Sequence, residues 1–212
     1  YRTLMAADCA VMVIDAAKGV EAQTIKLFKV CTLRHIPIFT FVNKMDREAR
    51  DPFELMENIE EILGIKTYPM NWPISCGKDF KGVYDRSAKR VLAFSSDGRA
   101  NGVKMVDEVE AELGDAALDA LIGTANHEKL AEDIELLDGA AEEFDLEAVQ
   151  HGELSPVFFG SALTNFGVEP FLKEFLRLTP TPLPRKDAAS GELVAPCSEQ
   201  FSGFVFKIQA NM

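Results

Sequence analysis

Three runs of nearly uninterrupted apolar residues limit this chain more than any other feature. Cys9 to Ile14 is closed by Asp15, Ile38 to Val42 by Asn43, and Pro156 to Gly160 by Ser161. A strand that is apolar throughout belongs in a parallel sheet covered on both faces, because a strand with one wet face alternates. The segments between them suit crossover helices. Gln23 to Leu33 repeats apolar residues at helical spacing through Ile25, Leu27, Phe28, Val30 and Leu33, and Pro37 ends it before the next strand. Pro52 opens a second helix with Phe53, Leu55, Met56, Ile59, Ile62 and Leu63 on one face and Gly64 at its close. A third runs from Val168 to Leu178, stopped by Thr179-Pro180-Thr181-Pro182-Leu183-Pro184. This alternation predicts an α/β fold with a doubly wound parallel sheet.

Between the second and third runs the pattern changes. Lys81 to Ser95 alternates as a β-hairpin around Arg86-Ser87-Ala88-Lys89, and Asp115 to Glu143 is acidic and helical, so an α+β insertion is expected over about residues 72–150. Its acidic run (Glu132, Asp133, Glu135, Asp138, Glu142, Glu143, Asp145 and Glu147) is expected to be a solvated face, with partner docking as the alternative. Residues 1–179 then form one domain around that insertion, and 180–200 a semi-rigid linker. Residues 201–212 carry the aromatic and apolar alternation of a first β-barrel strand, through Phe204, Phe206 and Ile208. Tyr1 to Met5 reads as a helix already under way, so the chain is expected to be an internal fragment.

A net charge of −12 excludes broad adhesion to nucleic acid and gives no sign of sequence-specific DNA binding, both of which need clustered Lys and Arg. No apolar stretch reaches the length of a membrane span, and the N-terminus lacks the layout of a signal peptide. Cys9, Cys31, Cys76 and Cys197 lack the close spacing of a zinc or redox motif and are expected to be reduced packing residues.

Asn43-Lys44-Met45-Asp46 leaves the carboxyl end of a buried strand, where open α/β sheets place ligand contacts. A carboxylate at Asp46 can accept from two adjacent N–H groups, which guanine offers at N1 and its exocyclic amine and adenine does not. Asn43 suits either the N7 edge of a base or a brace between loops, and the methylene stem of Lys44 can lie along one ring face. Gly160-Ser161-Ala162-Leu163 leaves another buried strand, where small residues let a backbone N–H approach the base carbonyl and Leu163 covers the other ring face. Asp15 is read as a capping or bracing residue rather than a metal ligand. Trp72 and Tyr68 are read as a packing pair, since no cations interleave them as at a stacking platform.

Tyr1 to Asp8, Val13 to Glu21, the Asn-Lys-Met-Asp loop and Gly160 to Leu163 together resemble the translocase-like translational GTPases, over most of the chain. Lys78 to Asp85, Pro156 to Gly160 and Asn165 to Val168 are most similar to the branch of that family that works in translation termination, and Phe201 to Met212 resembles the opening of its barrel domain. The resemblance implies that residues 1–179 are the C-terminal part of a P-loop-GTPase-like GTP-binding domain. It implies a cytoplasmic enzyme that binds GTP and GDP and, on the ribosome, promotes departure of the codon-reading release factor. Guanine-binding roles carry over to Asn43, Lys44, Asp46, Ser161, Ala162 and Leu163.

Magnesium is implied for the complete protein, with its ligands outside this chain. A Gly-x4-Gly-Lys-Ser/Thr phosphate loop does not occur, an Asp-x-x-Gly segment is likewise not expected, and no catalytic residue or metal ligand is assigned. The piece by itself is expected to be inactive. His35, His127 and His151 inherit no role, because the family's catalytic histidine lies upstream of these segments. Two alternatives stay open: an elongation-type translocase, and a non-catalytic module in which the acidic insertion and its hairpin dock a protein partner.

Overall fold

β-Branched and aromatic residues in the apolar runs fill the space between a sheet and the helices on either side of it. The computed structural model describes residues 3–100, 103–115, 117–140 and 143–208. The chain lays down β1 (Ala10–Asp15), α1 (Ala22–Thr32), β2 (Ile38–Asn43), α2 (Pro52–Leu63) and β3 (Lys66–Pro69). The insertion follows as β4 (Asn71–Ile74), β5 (Gly82–Asp85), β6 (Arg90–Ala100), β7 (Val103–Glu112), α3 (Leu118–Ile122), α4 (Thr124–Ala140) and α5 (Leu146–Gln150). β8 (Leu154–Phe159) and α6 (Val168–Leu178) then complete the first unit. The parallel sheet has the order β1-β2-β8-β3, and the insertion forms an antiparallel sheet in the order β4-β5-β6-β7. The doubly wound α/β fold and its α+β insertion are as expected.

Strand residues alternate between the two faces. Phe39, Phe41 and Phe158 meet α6, with ring centroids 5.0 Å apart for Phe39–Phe175 and 5.1 Å for both Phe41–Phe171 and Phe158–Phe171. On the other face Ile38, Val42, Val157 and Phe159 join Phe28 and Cys31 of α1 and Leu55 and Ile59 of α2. Asp51 caps α2 through Phe53 N–H, and Gly64 ends it in the left-handed conformation at φ 70°, as its sequence position requires.

β1 departs from the expectation of burial on both faces. Val11 and Val13 are 42% and 57% exposed and line a cleft of about 360 Å³ with Leu4, Gln23 and Leu27. Among the described residues β1 pairs with β2 on one side and with no strand on the other. β3, short and ending in Pro69, joins the opposite edge of the sheet although its sequence carries little strand signal.

The insertion begins at Asn71 and is tied closely to the sheet. Asn71, buried, completes the main-chain pairing of Phe159: its Nδ2 donates to Phe159 O at 3.1 Å and its Oδ1 accepts from Phe159 N–H at 2.7 Å. Trp72 is fully buried between Phe53 and Phe159, and its Nε1–H donates to Asp133 at 3.0 Å. Tyr68 packs on Phe144 instead of pairing with Trp72, under the Arg86 guanidinium. Arg86 also donates to Pro69 O and Asp138. Asp133 is therefore an internal tie and not a member of a solvated face, whereas Asp138 pairs with Arg86 while 63% of its side chain stays exposed, as expected. Glu132, Glu135, Glu143, Asp145 and Glu147 are exposed, and Glu142 lies outside the described residues.

Two further expectations change. The linker contains a small hairpin, β9 (Arg185–Lys186) with β10 (Leu193–Val194), and Cys197 is exposed and so is not a packing residue. Phe201–Ile208, where a first barrel strand is expected, is exposed and pairs with no described residue, and residues 209–212 lie outside the described residues.

Replacing Asn71 with Ala strands a buried N–H and a buried carbonyl of Phe159, so urea unfolding is expected to show a loss of about 2–4 kcal/mol. His127 sits between two acceptors, Asp119 Oδ1 at 2.8 Å and Leu113 O at 2.7 Å. The bond to Asp119 foremost raises its pKa above the ordinary histidine value. The imidazolium's contribution is complete below the unfolded value of about 6.5 and is lost as pH rises through the raised folded value. Amide exchange in α3 and α4 is accordingly expected to quicken over that rise, relative to neighbouring helices, and His127→Gln to abolish the pH dependence.

Candidate functional site

The parallel register Thr40↔Val157, Phe41↔Phe158, Val42↔Phe159 brings the ends of β2 and β8 together, so the Asn43 and Gly160 loops leave the sheet side by side. Backbone bonds fasten them: Gly160 N–H donates to Val42 O at 3.0 Å and Met45 N–H to Gly160 O at 3.1 Å. Glycine is required at 160 by space. A Cβ there would stand 2.5 Å from Phe166 O and 2.8 Å from Phe41 Cζ. The same Phe166 carbonyl accepts from Ser161 N–H at 2.9 Å and closes the second loop.

Side chains complete the junction. Asn43 Oδ1 accepts from Lys44 N–H at 2.8 Å and from Ala162 N–H at 2.9 Å, one atom bracing both loops. Ser161, fully buried, donates its hydroxyl to Asp46 Oδ1 at 2.5 Å. A carboxylate offers about four lone-pair sites, so this bond orients Asp46 and leaves it able to accept more. Met45, 1% exposed, anchors the first loop in the core between these polar neighbours.

Lys44 holds the left-handed conformation at φ 73°, a costly one for a residue with a Cβ. Its ammonium donates to Asp15 Oδ2 at 2.7 Å, while Asp15 Oδ1 accepts from Ala17 N–H at 2.9 Å. The Lys44 bond foremost holds the Asp15 carboxyl below the usual carboxylate range. Asp15 thus braces loops, one of the two roles read from the sequence, and no side-chain cap of α1 is formed.

All six expected site residues lie at this junction. Asn43, Lys44, Asp46, Ser161 and Ala162 are linked by the bonds above, and Leu163 stands beside them 74% exposed. Sequence reasoning missed the support from the insertion: Gly77 N–H donates to Met45 O at 2.8 Å and Arg47 O at 3.0 Å, and Phe80 packs on Phe166 with centroids 6.0 Å apart. Nothing local marks Gly77 or Phe80 for this duty. The expectation that Asp-x-x-Gly is absent also needs correction, because Asp79-Phe80-Lys81-Gly82 matches it. That stretch lies inside the insertion, with Phe80 buried and Gly82 packed 2.2 Å, by its would-be Cβ, from Leu92 O, so its spacing serves strand packing.

Among the described residues no group of three or more His, Cys, Asp and Glu stands together as metal ligands would, and no magnesium step is assigned to them. No helix of the described residues is long and apolar enough to cross a membrane.

Residues 1–181 match the family model of the elongation factor Tu GTP binding domain. Over the whole chain, proteins named peptide chain release factor 3 are similar: 57% identical in Symbiobacterium thermophilum, 52% in Gloeobacter violaceus and 53% in Streptococcus sanguinis. The chain spans 39% of the length of each of these relatives. Among solved structures, the crystal structure of ttk003000868 from Thermus thermophilus superposes with a TM-score of 0.60 at 26% identity, over 85% of this chain and 28% of that one.

Gly160→Ala forces the Phe166 carbonyl or the Phe41 ring to move. Thermal unfolding is expected to show a loss of about 1–3 kcal/mol, the usual range for overpacking, with faster amide exchange at Ser161 and Met45.

Proposed function

The chain belongs to the elongation factor Tu GTP-binding domain family, and from that premise we propose that it is the guanine-reading part of a GTP-hydrolysing translation factor acting at termination. The observation that carries the reading is the Ser161–Asp46 bond beside the Asn43 brace: a carboxylate held in place by a buried hydroxyl, at the mouth of two loops joined by one amide oxygen. Fixed by Ser161, Asp46 accepts from guanine N1–H and the exocyclic amine. Adenine offers no such pair, and the fixed acceptor facing it would go unmatched. Asn43 spends its oxygen on bracing, so its Nδ2 is the group that serves N7. Ala162 N–H is shared with Asn43 Oδ1, and together with Leu163 N–H it forms the donor edge available to the base carbonyl. Lys44 and Leu163 supply apolar surface to the two faces of the ring.

GTP supplies a phosphoryl bond whose cleavage is chemistry for residues other than these. What this part does is select the nucleotide and hold its base. The name shared by the similar proteins supports termination over an elongation-type translocase, with the ribosome and the codon-reading release factor as partners and the cytoplasm as the place of action. Family membership supports the GTPase reading over the non-catalytic module, and Asp133 of the acidic run is turned inward to Trp72.

In the full-length protein, Asp46→Asn is expected to weaken GDP binding by about 100-fold or more, through two charge-assisted bonds lost, and to shift preference toward xanthine nucleotides, whose C2 carbonyl the new amide can serve. Competition of GDP and XDP for the protein in equilibrium binding measures this, and unchanged guanine preference rejects the assignment.

A further inference from the structure

Lys44 presents a methylene stem to the proposed base site, and a lysine stem in water samples many rotamers. Here it is tied at both ends. Its backbone is locked next to Asn43 through Asn43 Oδ1, and its ammonium is bound to Asp15 Oδ2 at 2.7 Å. We infer that Asp15 is a positioning residue for guanine recognition, holding the Lys44 stem on one path beside the base through this ion pair. The inference rests on the function proposed above.

Asp15 is suited to the task because it is itself fixed. It ends β1 as the register partner of Asn43, so the two strands deliver Asp15 and Lys44 to the same edge of the sheet. Its Oδ1 accepts from Ala17 N–H at 2.9 Å, and its carbonyl accepts from Gly19 N–H at 2.8 Å. The Asp15 side chain is 13% exposed and that of Lys44 47%, so a mostly buried carboxylate anchors a half-exposed ammonium. Asn43 O accepts from Ala16 N–H at 2.9 Å, which keeps the two turns from separating.

Two consequences follow for the base. The ammonium's charge is matched away from the ligand, which leaves the stem as a flat apolar strip. Because that strip is ordered before binding, little rotamer freedom is lost when a ring settles on it, and the bound state dissociates more slowly. Asp15 touches no part of the base and works through Lys44.

The test is release of N-methylanthraniloyl-GDP from the full-length protein after mixing with excess GDP, with thermal unfolding of each variant as a check on folding. Asp15→Asn and Asp15→Ser both retain an oxygen for Ala17 N–H while removing the charge that faces Lys44. Each is expected to quicken release about five-fold, the scale of a partly exposed ion pair. Lys44→Met is expected to do at least as much, and Asp15→Asn combined with Lys44→Met to be no faster than Lys44→Met alone, because the two residues act as one unit. Asp15→Glu, which keeps the charge and the reach, should release at the unmodified rate. Unaltered release from Asp15→Asn and Asp15→Ser overturns the inference, as does a double variant whose effects multiply. If the unmodified protein fails to bind the labelled GDP, the proposed function falls and the inference with it; binding with unaltered Asp15 variants removes the inference alone.

Discussion

Val42 stands beside Phe159 in the parallel ladder between β2 and β8, and the arrangement of the two loops of the proposed site descends from that pairing. One step further along each strand are Asn43 and Gly160, which is why an amide oxygen on the first loop can reach Ala162 N–H on the second. A slip of one residue in this register would turn every side chain of the strand to the other face and carry Ser161 away from Asp46. Phe39, Phe41 and Phe158, packed on α6, resist such a slip because only one register buries all three. The two loops proposed to read a base are thus secured by a large apolar contact on the far side of the sheet.

The insertion adds a second constraint from behind. Asn71 continues the pairing of Phe159, Gly77 holds the carbonyls of Met45 and Arg47, and Phe80 rests on Phe166. These contacts bear on both loops from one element, so the loops have a common support besides the sheet. Trp72, with its indole N–H on Asp133, closes the same seam with apolar area and a satisfied donor. A chain segment that reads as an insertion with an acidic run is, in the fold, part of the support of the proposed guanine site.

Much of this was legible locally. The Pro52 start and Gly64 stop of α2, the Val168–Leu178 span of α6 and the turn between β5 and β6 depend on propensity, capping and spacing within one element. Errors arose where burial depends on neighbours. β3, with Lys66 and Pro69, joins the parallel sheet although its composition suits a loop. Asp133 carries the charge of a solvated face, but a partner distant in sequence, Trp72, draws it inward. Asp79 to Gly82 shows the reverse case, a four-residue match whose surroundings are those of strand packing.

By itself the sequence marked the residues proposed to read guanine: Asn43, Lys44 and Asp46 after one apolar strand, Ser161, Ala162 and Leu163 after another. Side-chain chemistry and position at a strand end are local properties, written in consecutive residues. Tertiary structure alone decided how those residues are held, with Asn43 as a brace through Oδ1, Asp46 oriented by Ser161, Lys44 tied to Asp15, and Gly77 and Phe80 behind. These partners lie far apart along the chain, and what joins them is the order of strands in the sheet, a choice made by the packing of both faces at once and carried by no single stretch of sequence.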